Sequence, residues 1–238
     1  PESQAYEVCK SIISDINSKK INVQLLCDPK CERASQGFMI GALVCKQMRS
    51  DQSGAGENEV VLKTVSGMIH KLCPVAGYDT ESIYVESIVS SEKINEALEK
   101  NDDEIHALTK KIESLKKNAA NSEDAVNNGE TAEKELHALL AARSKLTDES
   151  LEKVYALYSF HCAKVPSGLE NKTVAVRSLK EICLARNKGN LPPTGTGDCC
   201  APKLLDYCFA HQLIPVSMCE VFYGKSTQNK IAGEKYPP

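Results

Sequence analysis

Gly37-Phe-Met-Ile-Gly-Ala-Leu-Val-Cys-Lys-Gln47 decides the fold. Its apolar residues follow one another instead of alternating, the pattern of a central strand covered on both faces. Residues 59–69 return as a partner strand, with Val60, Leu62 and Thr64 on one face and Val61 and Val65 on the other. Residues 50–58, which include Gly54 and Gly56, lie between them, so the two strands are expected to form a hairpin. Residues 21–27 and 214–223 read as further strands. In the latter, Val216, Met218 and Phe222 alternate with Ser217, Cys219 and Val221, and Glu220 interrupts the first set. A carboxylate on an apolar face is disfavoured without a partner, so Glu220 either reaches the sheet edge or serves a site.

Helices complete an α+β fold with an antiparallel or mixed sheet. Residues 2–17 place Ala5, Val8, Cys9, Ile12, Ile13 and Ile16 on one side of an amphipathic helix. Cys73-Pro-Val-Ala-Gly-Tyr78 reads as a turn-rich link. From Ile94 the character changes. Ile94, Leu98, Asn101, Ile105, Leu108, Ile112 and Leu115 follow alternating spacings of four and three, a heptad seam. A polar Asn in such a seam costs stability and fixes register. Residues 118–129 are expected to be a polar loop, and the seam resumes at Ala132, Leu136, Leu139, Arg143 and Leu146. Helices joined by a short turn lie antiparallel, so 92–146 is expected to be a coiled-coil αα-hairpin inserted into a core made of 1–91 and 147–238. Thr147 or Asp148 should cap the following helix, which buries Leu151, Val154, Tyr155 and Tyr158 and breaks at Pro166-Ser-Gly168. Residues 173–185 are mostly helical in pattern, with 173–176 ambiguous between helix and strand.

The second informative stretch is Leu191-Pro-Pro-Thr-Gly-Thr-Gly-Asp-Cys-Cys-Ala-Pro-Lys-Leu-Leu-Asp-Tyr-Cys-Phe-Ala-His-Gln-Leu213. A glycine-bent loop leads into helical spacing, with Ala201, Leu204, Leu205, Cys208 and Gln212 on one face, and Asp198 or Cys199 is the expected N-cap. Pro202 fits only in the first turn. The loop thus brings an aspartate and two cysteines to the mouth of a helix. Two readings stand side by side there. Glycines before a helix ordinarily make a turn, and cysteine is among the most buried residues. A binding role would fall to Thr194, Thr196, Asp198, Lys203 and Glu220, and a metal role to Cys199 and Cys200. A helix N-terminus lowers a thiol pKa, whereas Asp198 opposes a thiolate beside it. His161 and His211 are the available bases. The Gly-Lys-Ser/Thr ending of a P-loop is absent.

Composition narrows the classes. The chain has 238 residues, 42% of them hydrophobic, with 5% aromatics and no Trp, so aliphatic residues and cysteine must pack the core. The net charge of −3 gives no global footprint for nucleic acid, although local basic patches remain. Eleven cysteines, an odd number at irregular spacing, read as reduced thiols in a cytoplasmic setting. Cys27-Asp-Pro-Lys-Cys31 has the spacing of half a zinc site, with no obvious second pair. His106 and His137 lie near the seam and read as solvated. The chain opens on Pro1-Glu2 and stops on Tyr236-Pro-Pro238, and it is expected to be a piece of a longer protein.

Pro193-Thr-Gly-Thr-Gly-Asp-Cys-Cys-Ala-Pro-Lys-Leu-Leu-Asp-Tyr207 followed by Leu213-Ile-Pro-Val-Ser-Met-Cys-Glu-Val-Phe-Tyr-Gly224 resembles the N-terminal region of bacterial RluA-like RNA pseudouridine synthases. The Gly37 strand, Ser66-Gly67 and the central coiled-coil stretch extend the resemblance over most of the chain. That family places its catalytic Asp in an Arg-Leu-Asp motif, which does not occur here. The resemblance therefore implies an accessory region without isomerase activity, whose arm could reach structured RNA, the ribosome or a second copy of itself. The order of hairpin, cysteine-opened helix and strand is also similar to that of zinc deaminases, where one His or Cys and two further Cys hold zinc and a Glu carries the proton. The Glu expected two residues after the first ligand is missing, since Ala201 follows Cys199 and Pro202 follows Cys200. That implies a degenerate fold kept for binding. No cofactor is expected, and zinc enters only in a chain extended beyond Pro238. A structural or oligomerisation domain is the remaining alternative.

Overall fold

The computed structural model describes residues 2–27, 30, 37–48, 57–121, 125–163, 175–186, 192, 195–226 and 229–237. In chain order the elements are α1 (Glu2–Asn17), β1 (Ile21–Leu25), β2 (Phe38–Met48), β3 (Glu57–Val65), β4 (His70–Pro74), β5 (Ile83–Tyr84), α2 (Ser91–Asn121), α3 (Ala125–Leu157), β6 (Ser159–Cys162), β7 (Ala175–Ser178), α4 (Leu179–Arg186), α5 (Cys200–Ala210), β8 (Ile214–Tyr223) and β9 (Lys235–Tyr236). They form two compact units, one of residues 1–88 with 159–238 and one of residues 89–158. The fold is a mixture of helices and sheets, and among the described residues no helix is long and apolar enough to cross a membrane.

In the first unit β2 is the middle strand of the order β5-β3-β2-β8-β9, antiparallel to both β3 and β8. Its unbroken apolar run has a direct cause. Ile40, Ala42 and Val44 pack with Ala5, Cys9 and Ile12 of α1, and Met39, Leu43 and Cys45 pack with Cys200, Leu204 and Cys208 of α5. One strand thus serves two cores. Gly41 lets α5 sit close: a Cβ there would lie 2.4 Å from the Cβ of Cys200. The pairing of β2 with β8 slips once between Val44 and Cys45, whose partners are Ser217 and Pro215. A bulge beside a proline, which has no N–H to give the ladder, is the expected compromise.

β8 also closes the starts of both helices. Ser217 Oγ accepts from the Ala5 N–H at 3.1 Å on one face, and a Glu220 carboxylate oxygen accepts from the Ala201 N–H at 3.0 Å on the other. Early helical N–H groups lack carbonyl partners within their own helix, so two alternating side chains of one strand meet that need in α5 and tie α1 down at its start.

Several boundaries differ from expectation. β3 ends at Val65, not at 69, because Ser66 and Gly67 (φ +75°) turn the chain. Cys73 and Pro74, expected in a turn, belong to β4, which pairs with β1 from Ile21↔Pro74 to Leu25↔His70. The helix expected to run to Pro166 ends at Leu157, and β6 follows it and pairs with β7. The helical reading of 173–185 holds only from Leu179. On α5, Lys203 is buried while Gln212 is exposed, lying beyond the helix end at φ +55°. The expected loop at 50–56 and the break at 166–168 lie outside the described residues.

In the second unit α2 and α3 pack on each other. Asn101 Nδ2 donates to Ser150 Oγ at 3.1 Å and lies 3.4 Å from the Leu146 carbonyl. Lys153 Nζ donates to Asn101 Oδ1 at 3.3 Å, and Lys111 pairs with Glu135 at 3.1 Å. Partners descend along α3 as α2 ascends, so the helices run antiparallel. Ile94, Asn101 and Ile112 are buried, Leu98, Ile105, Leu108 and Leu115 are half-buried, and His106 and His137 are exposed. Two expectations fail here. Residues 118–121 and 125–129 are helical instead of a polar loop, and no proline in that stretch opposes this. Thr147 and Asp148 lie inside α3 and cap nothing, because Thr147 Oγ1 bonds back to the Arg143 carbonyl at 2.9 Å.

Candidate functional site

The start of α5 is built by a tight 3-10 turn over Thr196–Asp198, entered through Gly195 at φ +84°, with Cys199 as the N-cap residue. This turn is fastened to the Ser66-Gly67 corner that ends β3. The Gly67 N–H donates to the Asp198 carbonyl at 2.8 Å, and Ser66 exchanges backbone and side-chain hydrogen bonds with Met39. Lys203 Nζ donates to the Val65 carbonyl at 2.5 Å and reaches the Gly67 carbonyl at 3.4 Å. Two segments far apart in sequence are thus held by a lysine that is only 2% exposed.

Charge at this point is enclosed. Burial pushes Lys203 below the ordinary lysine range, against the pull of the surrounding thiols and carboxylates. Burial pushes Glu220 above the ordinary carboxylate range, while the Ala201 N–H, Lys230 and Lys203 draw it back. The two cysteines diverge. Cys200 is fully buried, its Sγ directed to the Met39 carbonyl at 3.5 Å, and burial raises its pKa far above that of a free thiol. Cys199 is exposed, yet its thiol is also raised, by packing on its inner side and by the carboxylates of Glu220 and Asp198. The lowering expected of a helix N-terminus is overcome there.

Of the residues singled out in the sequence, Thr196, Asp198, Cys199, Cys200, Lys203 and Glu220 come together around the first turn of α5, and Thr194 lies outside the described residues. Thr196 is half-buried and Asp198 is buried. The bases are elsewhere. His161 on β6 sets Nδ1 2.9 Å from Asp206 Oδ1, and its backbone N–H donates to the same oxygen at 2.7 Å. Asp206 is about 10 Å along α5 from Cys199 at the helical rise. His211 stacks on Tyr207 at 3.8 Å with its Nδ1 on the Tyr207 carbonyl. No nucleophile–base pair forms between these histidines and Cys199. Cys199 and Cys200 do not present a shared pair of ligands, because one thiol is open and the other enclosed. Among the described residues no three His, Cys, Asp or Glu gather as metal ligands would.

Sequence reasoning missed a cleft of about 290 Å³ beside this turn. Its wall includes Phe38, the residues from Ser66 to His70, Gly195 and Asp198. The signal was Ser66-Gly67, quoted only for its resemblance, which lies at the centre of the structure that holds α5. No family model, curated protein or solved structure matches the chain.

Proposed function

We propose that the chain is a non-catalytic binding module of the kind attached to RluA-like RNA pseudouridine synthases. In this reading α2 and α3 form an antiparallel coiled-coil hairpin that contacts structured RNA. The observation that supports it is the use of the motif's polar groups: Lys203 is held by the carbonyls of Val65 and Gly67, Glu220 by the Ala201 N–H, and Cys200 by the Met39 carbonyl. Groups so engaged fasten a fold, and they are not poised to attack a substrate or shuttle a proton.

With a net charge of −3, affinity for RNA must come from a local patch, and Lys110, Lys111, Lys116 and Lys117 on α2 are all exposed. Each neutralised phosphate steepens the fall of affinity with salt by roughly 0.7–0.9 in the log–log slope. Fluorescence anisotropy with a labelled hairpin RNA should show binding at low salt, a slope of about −3, and loss of binding when the four lysines become Gln. Absence of binding at low salt would point to a ribosomal-protein partner or self-association. Conversion of uridine to pseudouridine by the chain would defeat the non-catalytic reading.

A second reading, a degenerate zinc-deaminase-like fold kept for binding, draws on Glu220. The carboxylate missing from the cysteine-bearing helix arrives from β8, within hydrogen-bond reach of the residue that follows Cys200. The divergence of the two thiols counts against a working metal centre there, so no catalytic step is derived.

A further inference from the structure

The cleft beside the α5 turn is not used by anything above. It lies wholly in the unit of residues 1–88 and 159–238, and its walls have distinct chemistry. Phe38 and His70, both half-buried, are part of its wall, with ring centroids 4.5 Å apart at a tilt of 33°, and Phe38 also packs on Tyr223 at 5.5 Å. Met68 and Ile69, also half-buried, add apolar surface. Asp198, 4% exposed, is part of the wall, its backbone carbonyl accepting from the Gly67 N–H at 2.8 Å, and Gly67 and Gly195 contribute bare backbone. At both glycines φ is positive, and nothing stands within 4 Å of where a Cβ would be, so their share of the wall is open space.

A volume of about 290 Å³ is at the small end for ligand sites. It suits one or two fused rings and excludes a folded peptide or a paired duplex. An aromatic wall favours a flat π-face. A carboxylate accepts N–H groups through about four lone-pair directions, and a bond from a ligand's amino group to Asp198 would be strengthened away from bulk water.

We propose that this cleft receives a single unpaired nucleobase bearing an exocyclic amino group, stacked against Phe38 and His70 with its amino edge toward Asp198. Unstacked bases of single-stranded RNA are recognised by this combination of aromatic stacking and edge hydrogen bonds, and carboxylates accept from the amino group of cytosine. The inference deepens the RNA-binding reading: the lysines of α2 would supply affinity for the phosphate backbone, and the cleft would read a base.

The test is titration of the full chain with adenosine, cytidine, guanosine and uridine, followed by amide NMR. Saturable shifts at Phe38, Gly67 and Gly195 are expected for the amino-bearing nucleosides, with uridine weakest. Phe38→Leu should weaken binding about tenfold, the scale of losing one stacking partner. Asp198→Asn should erase the discrimination against uridine. Because Asp198 is buried, Met68→Gln serves as a second variant at the cleft wall; it should also weaken binding while leaving the thermal midpoint unchanged. No shift with any nucleoside at millimolar concentration, or shifts that Phe38→Leu and Met68→Gln leave unchanged, would overturn the proposal. Salt-dependent binding of hairpin RNA by the α2 lysines is read separately, so loss of this inference and loss of the RNA-binding reading are distinguishable.

Discussion

Glu220 is ionisable, buried and placed on the same helix N-terminus as Cys199 and Cys200, which makes it the most informative single residue. Its folded-state pKa is raised above the ordinary 4.5, first by burial. A raised carboxylate favours protonation in the folded state, so it costs nothing below the unfolded value and costs stability as pH rises from there through the folded value. Glu220→Gln keeps an oxygen for the Ala201 N–H and removes the ionisation. The variant should gain stability relative to the parent as pH rises from about 4 to about 7, while Glu220→Ala, which also removes the ionisation, should lose about 1–2 kcal/mol near pH 4 and less near pH 7. Urea unfolding at the two pH values checks this, and a pH-independent gap between parent and Gln variant would show that Glu220 is not held in the way described. The sequence placed a carboxylate on an apolar face and named its two possible fates. That the answer was a helix N-terminus could not be read, because Ala201 is 19 residues away and meets Glu220 only when α5 packs on β8. The same holds for Lys203, whose partners Val65 and Gly67 lie more than 130 residues earlier.

Elements with one strong periodic signal were legible. The apolar run of β2 implied cover on two faces, and α1 and α5 provide it. The spacing of Ile94 to Leu115 coincides with the residues that α2 turns inward. What periodicity could not find were elements made by pairing alone. β6 and β7 have four residues each, and the single pair they form gives Ser159–Cys162 its strand. Thr147 misled because a hydroxyl that can cap a helix can equally bond back within one. The buried Asn101 gives a prediction at this scale. If α2 and α3 are a coiled-coil hairpin, Asn101→Leu should raise the thermal midpoint and at the same time admit larger species or shifted registers. Thermal scans with light scattering after size exclusion would show both effects. A lowered midpoint with an unchanged single species would mean that the bonds from Asn101 to Ser150 and from Lys153 to Asn101 provide net stability and do not act mainly to fix register.

At the scale of the whole molecule, the division into residues 1–88 with 159–238 and residues 89–158 has a direct consequence. Joining residue 88 to residue 159 through a short glycine linker should leave a core that unfolds cooperatively, and loss of a cooperative transition would show that the helical unit is needed for the core. We propose that the residues around the start of α5 fasten the fold and form no metal-dependent chemical centre. This proposal is tested most directly by urea unfolding of the parent, Cys199→Ala and Cys200→Ala, each with and without equimolar zinc, with bound metal measured alongside. Cys200→Ala should cost about 1–2 kcal/mol whether or not zinc is present, because its thiol is enclosed, and Cys199→Ala should stay within about 0.5 kcal/mol of the parent. Stoichiometric zinc that stabilises the parent, with both substitutions abolishing that gain, would contradict the proposal.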